Sequence, residues 1–161
     1  MIFIFFFFSL QKSLKVNKIE NSNTSIIIIV PTDSQDALSS YCQSIREFVQ
    51  KNFSSISTQI ISYTKWNSKY GITVSSDRIH IALFRYNQFI EIYPGFIDFN
   101  CLHKYLTLSL YSHVITIKEE DLPIILKTRK RFFILKNDHI YYEYENTAFL
   151  YKYSKVTFFF I

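Results

Sequence analysis

The sequence predicts an α/β protein in which a mixed sheet is flanked by helices. Short runs of β-branched and aromatic residues alternate along the chain with segments whose apolar residues recur at the period of a helix. Two apolar segments in residues 79–93 are separated by a short polar stretch, which is typical of a β-hairpin. Because hydrophobic residues make up 48% of the chain and charged residues 19%, we expect a folded core rather than disorder.

Residues 26–30 predict the first strand, because four isoleucines and a valine form an apolar run too short for a helix. Such a run is typical of a strand that is buried on both faces. Pro31 ends it, and Thr32, Asp33 and Ser34 are candidate N-caps for a long helix. The apolar positions that predict this helix are Ala37, Leu38, Tyr41, Cys42, Ile45, Phe48, Val49 and Phe53.

The next elements complete a first structural unit. Residues 59–63 predict a second strand, and a short helix that ends near Gly71 follows it. In the hairpin, residues 79–84 are nearly all apolar and are expected near the centre of the sheet, whereas residues 89–93 alternate and are expected near its edge. Asp98 is the predicted N-cap of the last helix. The apolar face of that helix comprises Leu102, Tyr105, Leu106 and Ser109.

After Ser112 the elements begin again. Strands are predicted at residues 114–117, 131–135 and 155–161, and helices at residues 119–127 and 140–153. The order repeats that of the first unit up to its second strand. The sequence therefore predicts one domain at residues 14–112 and an incomplete second domain at residues 113–161.

The first ten residues are mostly isoleucine and phenylalanine. This run is too short to span a bilayer, which requires about 20 apolar residues. It is typical of the apolar segment of a signal peptide, so we predict a signal peptide at residues 1–13 and localisation to the endoplasmic reticulum or secretory pathway. The alternative interpretation is an N-terminal β-strand in a cytoplasmic protein. No other stretch of the sequence reaches transmembrane length.

The composition excludes several classes of site. The 2 glycines of the chain exclude a glycine-rich loop for phosphates or dinucleotides. Cys42 and Cys101 are too few for a disulfide framework or a four-cysteine zinc site, and Cys101 is expected to be a packing residue. The histidines are too widely spaced to form a metal site on one helix, and we predict no metal and no cofactor. They are His80, His103, His113 and His139.

The basic residues form one dense cluster. It comprises Lys127, Arg129, Lys130 and Arg131. We interpret the cluster as a solvated helix end, where cations complement the helix dipole, and a phosphate-binding patch is the alternative. A net charge of +5 is also compatible with an RNA-binding module of the anticodon-binding type, which would need its cations along one groove with stacking aromatic rings. We expect no nucleic acid partner.

Two segments carry a family resemblance. Residues 68–72, with the sequence Ser-Lys-Tyr-Gly-Ile, and the hairpin at residues 81–95 resemble the thioredoxin family. The spacing from Phe84 to Gly95, and on to the helix at Leu102, is similar to that of the family. The resemblance is greatest to the non-catalytic b domain of protein disulfide isomerases and the start of their b′ domain. It implies a thioredoxin-like fold followed by an incomplete second thioredoxin-like half.

The departures from the family pattern bear on function. Catalytic thioredoxin-like domains carry Trp-Cys-x-x-Cys at the start of the long helix, because the helix N-terminus lowers the pKa of the attacking thiol. Here that position reads Pro31-Thr32-Asp33-Ser34-Gln35, and residues 76–79 lack the proline that the family has there. The resemblance therefore implies a redox-inactive module that binds an unfolded client or partner protein. The alternative is a monothiol oxidoreductase that uses Cys42.

Large aromatic side chains surround the predicted helix at residues 140–153 instead of forming one stripe. One helix on one sheet cannot bury all of them, and an exposed apolar surface usually marks an interaction site. We predict that Tyr142, Phe149 and Tyr153 contact a partner or client and that the isolated chain self-associates. The alternative is that these rings pack back onto the first domain.

Overall fold

The computed structural model describes residues 24–31, 36–128 and 131–161. These residues form two compact units, one within Glu20–Leu110 and one within Tyr111–Ile161. The elements of the first unit are β1 (Thr24–Val30), α1 (Asp36–Asn52), β2 (Ser57–Ser62), α2 (Tyr63–Tyr70), β3 (His80–Arg85), β4 (Gln88–Ile92) and α3 (Phe99–Ser109). The predicted strands and helices are all present, with ends that differ by a few residues.

The sheet of the first unit has the strand order β2-β1-β3-β4. Strand β1 is parallel to β2 and antiparallel to β3, which is in turn antiparallel to β4. The predicted positions of the hairpin strands are confirmed, because β3 is buried along its whole length and β4 lies at the edge. The predicted mixed α/β sheet is therefore present.

Short local signals fix the ends of the elements. The Ser62 side chain accepts a hydrogen bond from the Lys65 backbone N–H, and Gly71 ends α2 with a φ of 63° in the left-handed region. The predicted cap Asp98 accepts a hydrogen bond from the Cys101 N–H at 2.9 Å. The proposed N-caps of α1 at residues 32–34 lie outside the described residues.

One face of this sheet packs against α2 through the only tryptophan of the chain. Trp66 is fully buried, and its indole N–H donates a hydrogen bond to the Ile72 carbonyl at 2.7 Å. The rings of Tyr70 and Phe84 lie 4.5 and 6.3 Å from it. Since the tryptophan is buried within the first unit, its fluorescence reports on the folding of that unit.

The second unit is built on a smaller parallel sheet. Its elements are β5 (Val114–Thr116), a 3₁₀ turn (Glu119–Asp121), α4 (Leu122–Thr128), β6 (Phe132–Leu135), α5 (Tyr142–Leu150) and β7 (Thr157–Phe160). The strand order is β5-β7-β6, and β7 is parallel to both neighbours. Two small apolar clusters stabilise it, one around Phe158 with Ala148 of α5 and one around Phe159 with Ile125 of α4.

The aromatic helix is shorter than the sequence predicts. It spans Tyr142–Leu150, so the expected continuation to residue 153 is wrong. The backbone N–H groups of Lys152 and Ser154 donate to carbonyls three residues earlier, which closes tight turns at the end of the helix. The regular helix therefore ends at Leu150, and the residues up to Ser154 form turns.

His80, the first residue of β3, links the stability of the first unit to pH. Its Nε2 lies 3.0 Å from the Ser75 carbonyl, and burial lowers its pKa below the ordinary value of 6.5, with nearby Arg78 lowering it and Asp77 raising it. A lowered pKa of a base means that the unfolded chain takes up the proton first as the pH falls. The stability that neutral His80 supports is therefore lost as the pH falls below about 6.5.

We expect the urea concentration at the unfolding midpoint of the first unit to be lower at about pH 5 than at about pH 7.5. Unfolding is measured by Trp66 fluorescence. In His80→Gln, which cannot be protonated, this fall should be smaller. His103→Gln, at an exposed histidine of the same unit, is the control and should keep the wild-type dependence. An unchanged pH dependence in His80→Gln would contradict the assignment.

Candidate functional site

The family resemblance places the position of an active site between the end of β1 and the start of α1. Pro31 is buried there, and residues 32–35 lie outside the described residues. Cys42 is found well inside α1, where only 1% of the residue is exposed. Burial raises the pKa of its thiol, because the thiolate would lose its hydration. Cys42 is therefore a buried thiol that stays protonated, whereas an activated nucleophile needs to be a thiolate.

Cys101 lies in the first turn of α3 and is exposed. Its expected role as a packing residue is therefore wrong. The apolar face of α3 is formed by Leu102, Tyr105, Leu106 and Ser109, as predicted, and Cys101 lies outside this buried set. The hydrogen bond from its backbone N–H to Asp98 contributes most to the lowered pKa of that carboxyl.

The remaining candidates are a metal site, the basic cluster and a membrane-spanning helix. Among the described residues, no group of three or more His, Cys, Asp or Glu side chains could hold a metal ion. Lys127 and Arg131 of the basic cluster are exposed, and residues 129 and 130 lie outside the described part. Within that part, no helix is long and apolar enough to cross a membrane.

The three residues predicted to contact a partner differ in their exposure to solvent. Tyr142 and Tyr153 are exposed, Tyr153 by 72%, whereas Phe149 is fully buried. The Phe149 ring lies 5.4 Å from that of His113, and the Lys152 ammonium lies 3.9 Å from the Phe149 ring centre. Phe149 belongs to the inner face of α5 and supports the helix rather than a surface.

A second group of rings was not predicted. Phe133 of β6 is 54% exposed and stacks on Phe158 of the central strand β7 at 5.1 Å. Tyr151 contacts the same Phe158 ring at 5.8 Å and is also exposed. Phe133, Tyr151 and Phe158 thus form a ring cluster at the surface, here called the Phe158 cluster. The sequence shows Phe133 only as one member of an apolar strand, so its exposure gives no signal there.

Polar contacts attach α5 to the sheet beneath it. Ser112 donates a hydrogen bond from its hydroxyl to Glu145 at 2.5 Å, and the same oxygen accepts one from the Val114 N–H at 3.1 Å. Tyr144 donates from its hydroxyl to the Phe159 carbonyl at 2.9 Å, and burial raises the pKa of that phenol. The rings on the outer side of α5 are therefore presented by a fixed helix.

The first unit exposes aromatic rings of its own between α1 and α3. Phe48 and Phe99 stack at 4.7 Å, and the Tyr41 hydroxyl donates to the Ile97 carbonyl at 2.5 Å. Phe96, in the loop before α3, is 93% exposed. An isolated exposed ring such as that of Phe96 is common on protein surfaces. Phe96 therefore serves as the control position for the exposed rings of the second unit.

No family model and no curated protein matches the sequence. Among solved structures, the zinc-bound form of human ERp44 matches with a TM-score of 0.60 and 14% identity, over 87% of this chain and 42% of that one. Form I of human ERp44 matches with a TM-score of 0.60 and 13% identity, over 88% and 41%. This chain thus spans about two-fifths of the structures it resembles. The likeness confirms the predicted thioredoxin-like fold.

The two cysteines should differ sharply in reactivity. In the native protein, we expect a thiol reagent such as dithiobis-nitrobenzoate to label Cys101 and to leave Cys42 unlabelled until urea is added. The Cys101→Ser variant should consequently show almost no native labelling, and Cys42→Ser should label like the wild type. Rapid native labelling of Cys42 would contradict its burial and revive the monothiol hypothesis.

Proposed function

We propose that this chain is a redox-inactive thioredoxin-like module that binds an unfolded client or partner polypeptide in the secretory pathway. The observation that carries the proposal is the set of aromatic side chains that the second unit leaves exposed. It comprises Tyr111, Phe133, Tyr141, Tyr142, Tyr151 and Tyr153. Aromatic rings are enriched at protein interfaces, because each covers a large apolar area and loses little conformational entropy on binding.

The arrangement suits the binding of unfolded chains. An unfolded polypeptide exposes apolar side chains without a fixed shape, so a receptor gains from rigid rings more than from a closed pocket. Phe133 is held against Phe158 of β7, and Tyr142 is carried by the anchored helix α5. These rings can bind apolar groups without first being ordered themselves.

We also propose that the protein does not catalyse dithiol–disulfide exchange. The sequence contains no Cys-x-x-Cys pair, and dithiol exchange needs both an attacking thiolate and a resolving cysteine. The buried, neutral thiol of Cys42 supports the same conclusion. Localisation to the secretory pathway rests on the apolar run at residues 1–10, which has the character of a signal peptide.

We expect no acceleration of insulin reduction by dithiothreitol in the presence of the protein, because the chain has no Cys-x-x-Cys pair that could attack the disulfide and then resolve the mixed disulfide. Turbidity of the precipitating insulin chain is the measurement, and a catalytic thioredoxin is the positive control. A turnover above background that disappears in Cys42→Ser would contradict the redox-inactive assignment.

Client binding is tested with reduced, alkylated α-lactalbumin, which is permanently unfolded. We expect the Tyr142→Ser, Tyr153→Ser double variant to bind it about tenfold more weakly than the wild type, since each exposed ring contributes about 0.5–1.5 kcal/mol. Fluorescence anisotropy of the labelled client is the measurement, and Phe96→Ser in the first unit is the matched control. Equal losses in both variants would mean that binding is not localised to the second unit. No binding by the wild type would refute the proposal.

A further inference from the structure

The C-terminal end of α1 carries a sequence triplet that the proposed function does not use. Residues 52–54 read Asn-Phe-Ser and match the pattern Asn-x-Ser/Thr, which accepts N-linked oligosaccharides when the middle residue is not proline. Residues 23–25, which read Asn-Thr-Ser, also match it. Because such triplets occur by chance in a chain rich in asparagine and serine, their placement in the fold decides which of them can be used.

The triplet at residues 52–54 lies at the surface. Asn52 is the last residue of α1, and the side chains of Asn52 and Ser54 are both exposed. Phe53 between them is buried, and its ring lies 5.0 Å from that of His103. The Phe53 N–H also donates a hydrogen bond to the Val49 carbonyl at 2.7 Å. The middle residue therefore anchors the segment, while the acceptor amide and the serine hydroxyl stay accessible.

The triplet at residues 23–25 runs into the central strand of the first unit. Thr24 is buried, and Ser25 is paired with Ser57 of β2 on one side and with Phe84 of β3 on the other. Asn23 itself lies outside the described residues. A transferase has to hold all three residues of a triplet in one site, so use of this triplet would require the start of β1 to leave the sheet. The triplet at the end of α1 carries no such penalty.

We propose that Asn52 is the acceptor of an N-linked oligosaccharide that is added in the secretory pathway. This inference rests on the proposed secretory localisation and adds a modification site to it. The co-reactant is an oligosaccharide carried on a polyprenyl pyrophosphate. The Nδ2 atom of Asn52 forms a bond to the anomeric carbon of the first sugar. The bond from that carbon to the pyrophosphate oxygen breaks, its electron pair leaves with the pyrophosphate, and the Nδ2 proton passes to a basic group of the transferase.

The local structure can accommodate the product. The Asn52 Nδ2 donates a hydrogen bond to the Phe48 carbonyl at 2.8 Å, and a glycosylated amide keeps one N–H with which to make it. Residues four apart are neighbours on a helix surface, so the oligosaccharide would be attached beside Phe48. The Phe48 ring is half-buried and stacks on Phe99 at 4.7 Å. A bulky polar group beside this apolar stack would increase the solubility of the first unit.

The test is expression of the full chain in cultured insect cells, followed by mass spectrometry. The denatured protein is treated with peptide N-glycosidase in heavy-oxygen water, which converts a glycosylated asparagine into a labelled aspartate, and is then digested with trypsin. The two triplets fall on different tryptic peptides, residues 19–46 and 52–65. We expect the treatment to lower the mass of the intact protein and to leave the label at Asn52.

Matched variants separate the triplet from its surroundings. Asn52→Gln should lose the oligosaccharide completely, whereas Asn23→Gln should keep it. Ser54→Ala leaves the acceptor amide in place but removes the hydroxyl of the triplet, so it should also lose the oligosaccharide, and Ser54→Thr should keep it. Ser55→Ala, one residue beyond the triplet, is the control and should be modified like the wild type. Native Trp66 fluorescence verifies that each variant is folded.

Translation in vitro with microsomes distinguishes a failure of the site from a failure of the localisation. Resistance to added protease shows whether the chain has entered the lumen. If the chain enters and Asn52 stays unmodified, the inference is wrong, and the proposed function survives. If the chain stays outside, the secretory localisation is wrong, and the inference fails with it. A label at Asn23 alone would also overturn the assignment to Asn52.

Discussion

The central strand β1 imposes the constraint that organises the first unit. Its side chains at Ile26–Ile29 are buried on both faces, and its backbone is paired on both edges, with β2 and β3. A strand of this kind folds only if helices cover both faces and strands cover both edges, because buried main-chain groups without partners are costly. The long helix α1, the short helix α2 and the hairpin meet these needs in turn, and the thioredoxin-like topology results.

In the second unit, the described residues cover strand β6 less completely than the first unit covers β1. Strand β6 has helices near both faces but a neighbour on one edge only within the described residues. The ring of Phe133 is 54% exposed, so it forgoes about half of the 1.5–3 kcal/mol of hydrophobic free energy that full burial of a phenylalanine contributes. Among the described residues, the ring of Phe133 therefore stays at the surface, and the proposed binding of unfolded chains depends on rings of this kind.

The elements that local chemistry specifies could be predicted from the sequence. The alternation and polar turn of the hairpin, the Asp98 cap and the buried face of α3 depend on neighbouring residues, and all are present. The end of α5 and the burial of Phe149 could not be predicted, because they depend on which side of the helix meets the sheet. Aromatic residues on all sides of a helix give no such direction. The exposure of Phe133 likewise depends on a neighbouring strand, which periodicity along one strand does not reveal.

The rigidity of the second unit bears on the proposed binding of unfolded chains to its exposed rings. Association must offset the entropy of ordering both partners, so a receptor whose strand is already fixed binds with a smaller penalty. The strand β6 is fixed by β7, and α5 is fixed by hydrogen bonds from Ser112 to Glu145 and from Tyr144 to Phe159. Phe133 of β6 and Tyr142 of α5 are therefore carried by ordered elements before any partner binds.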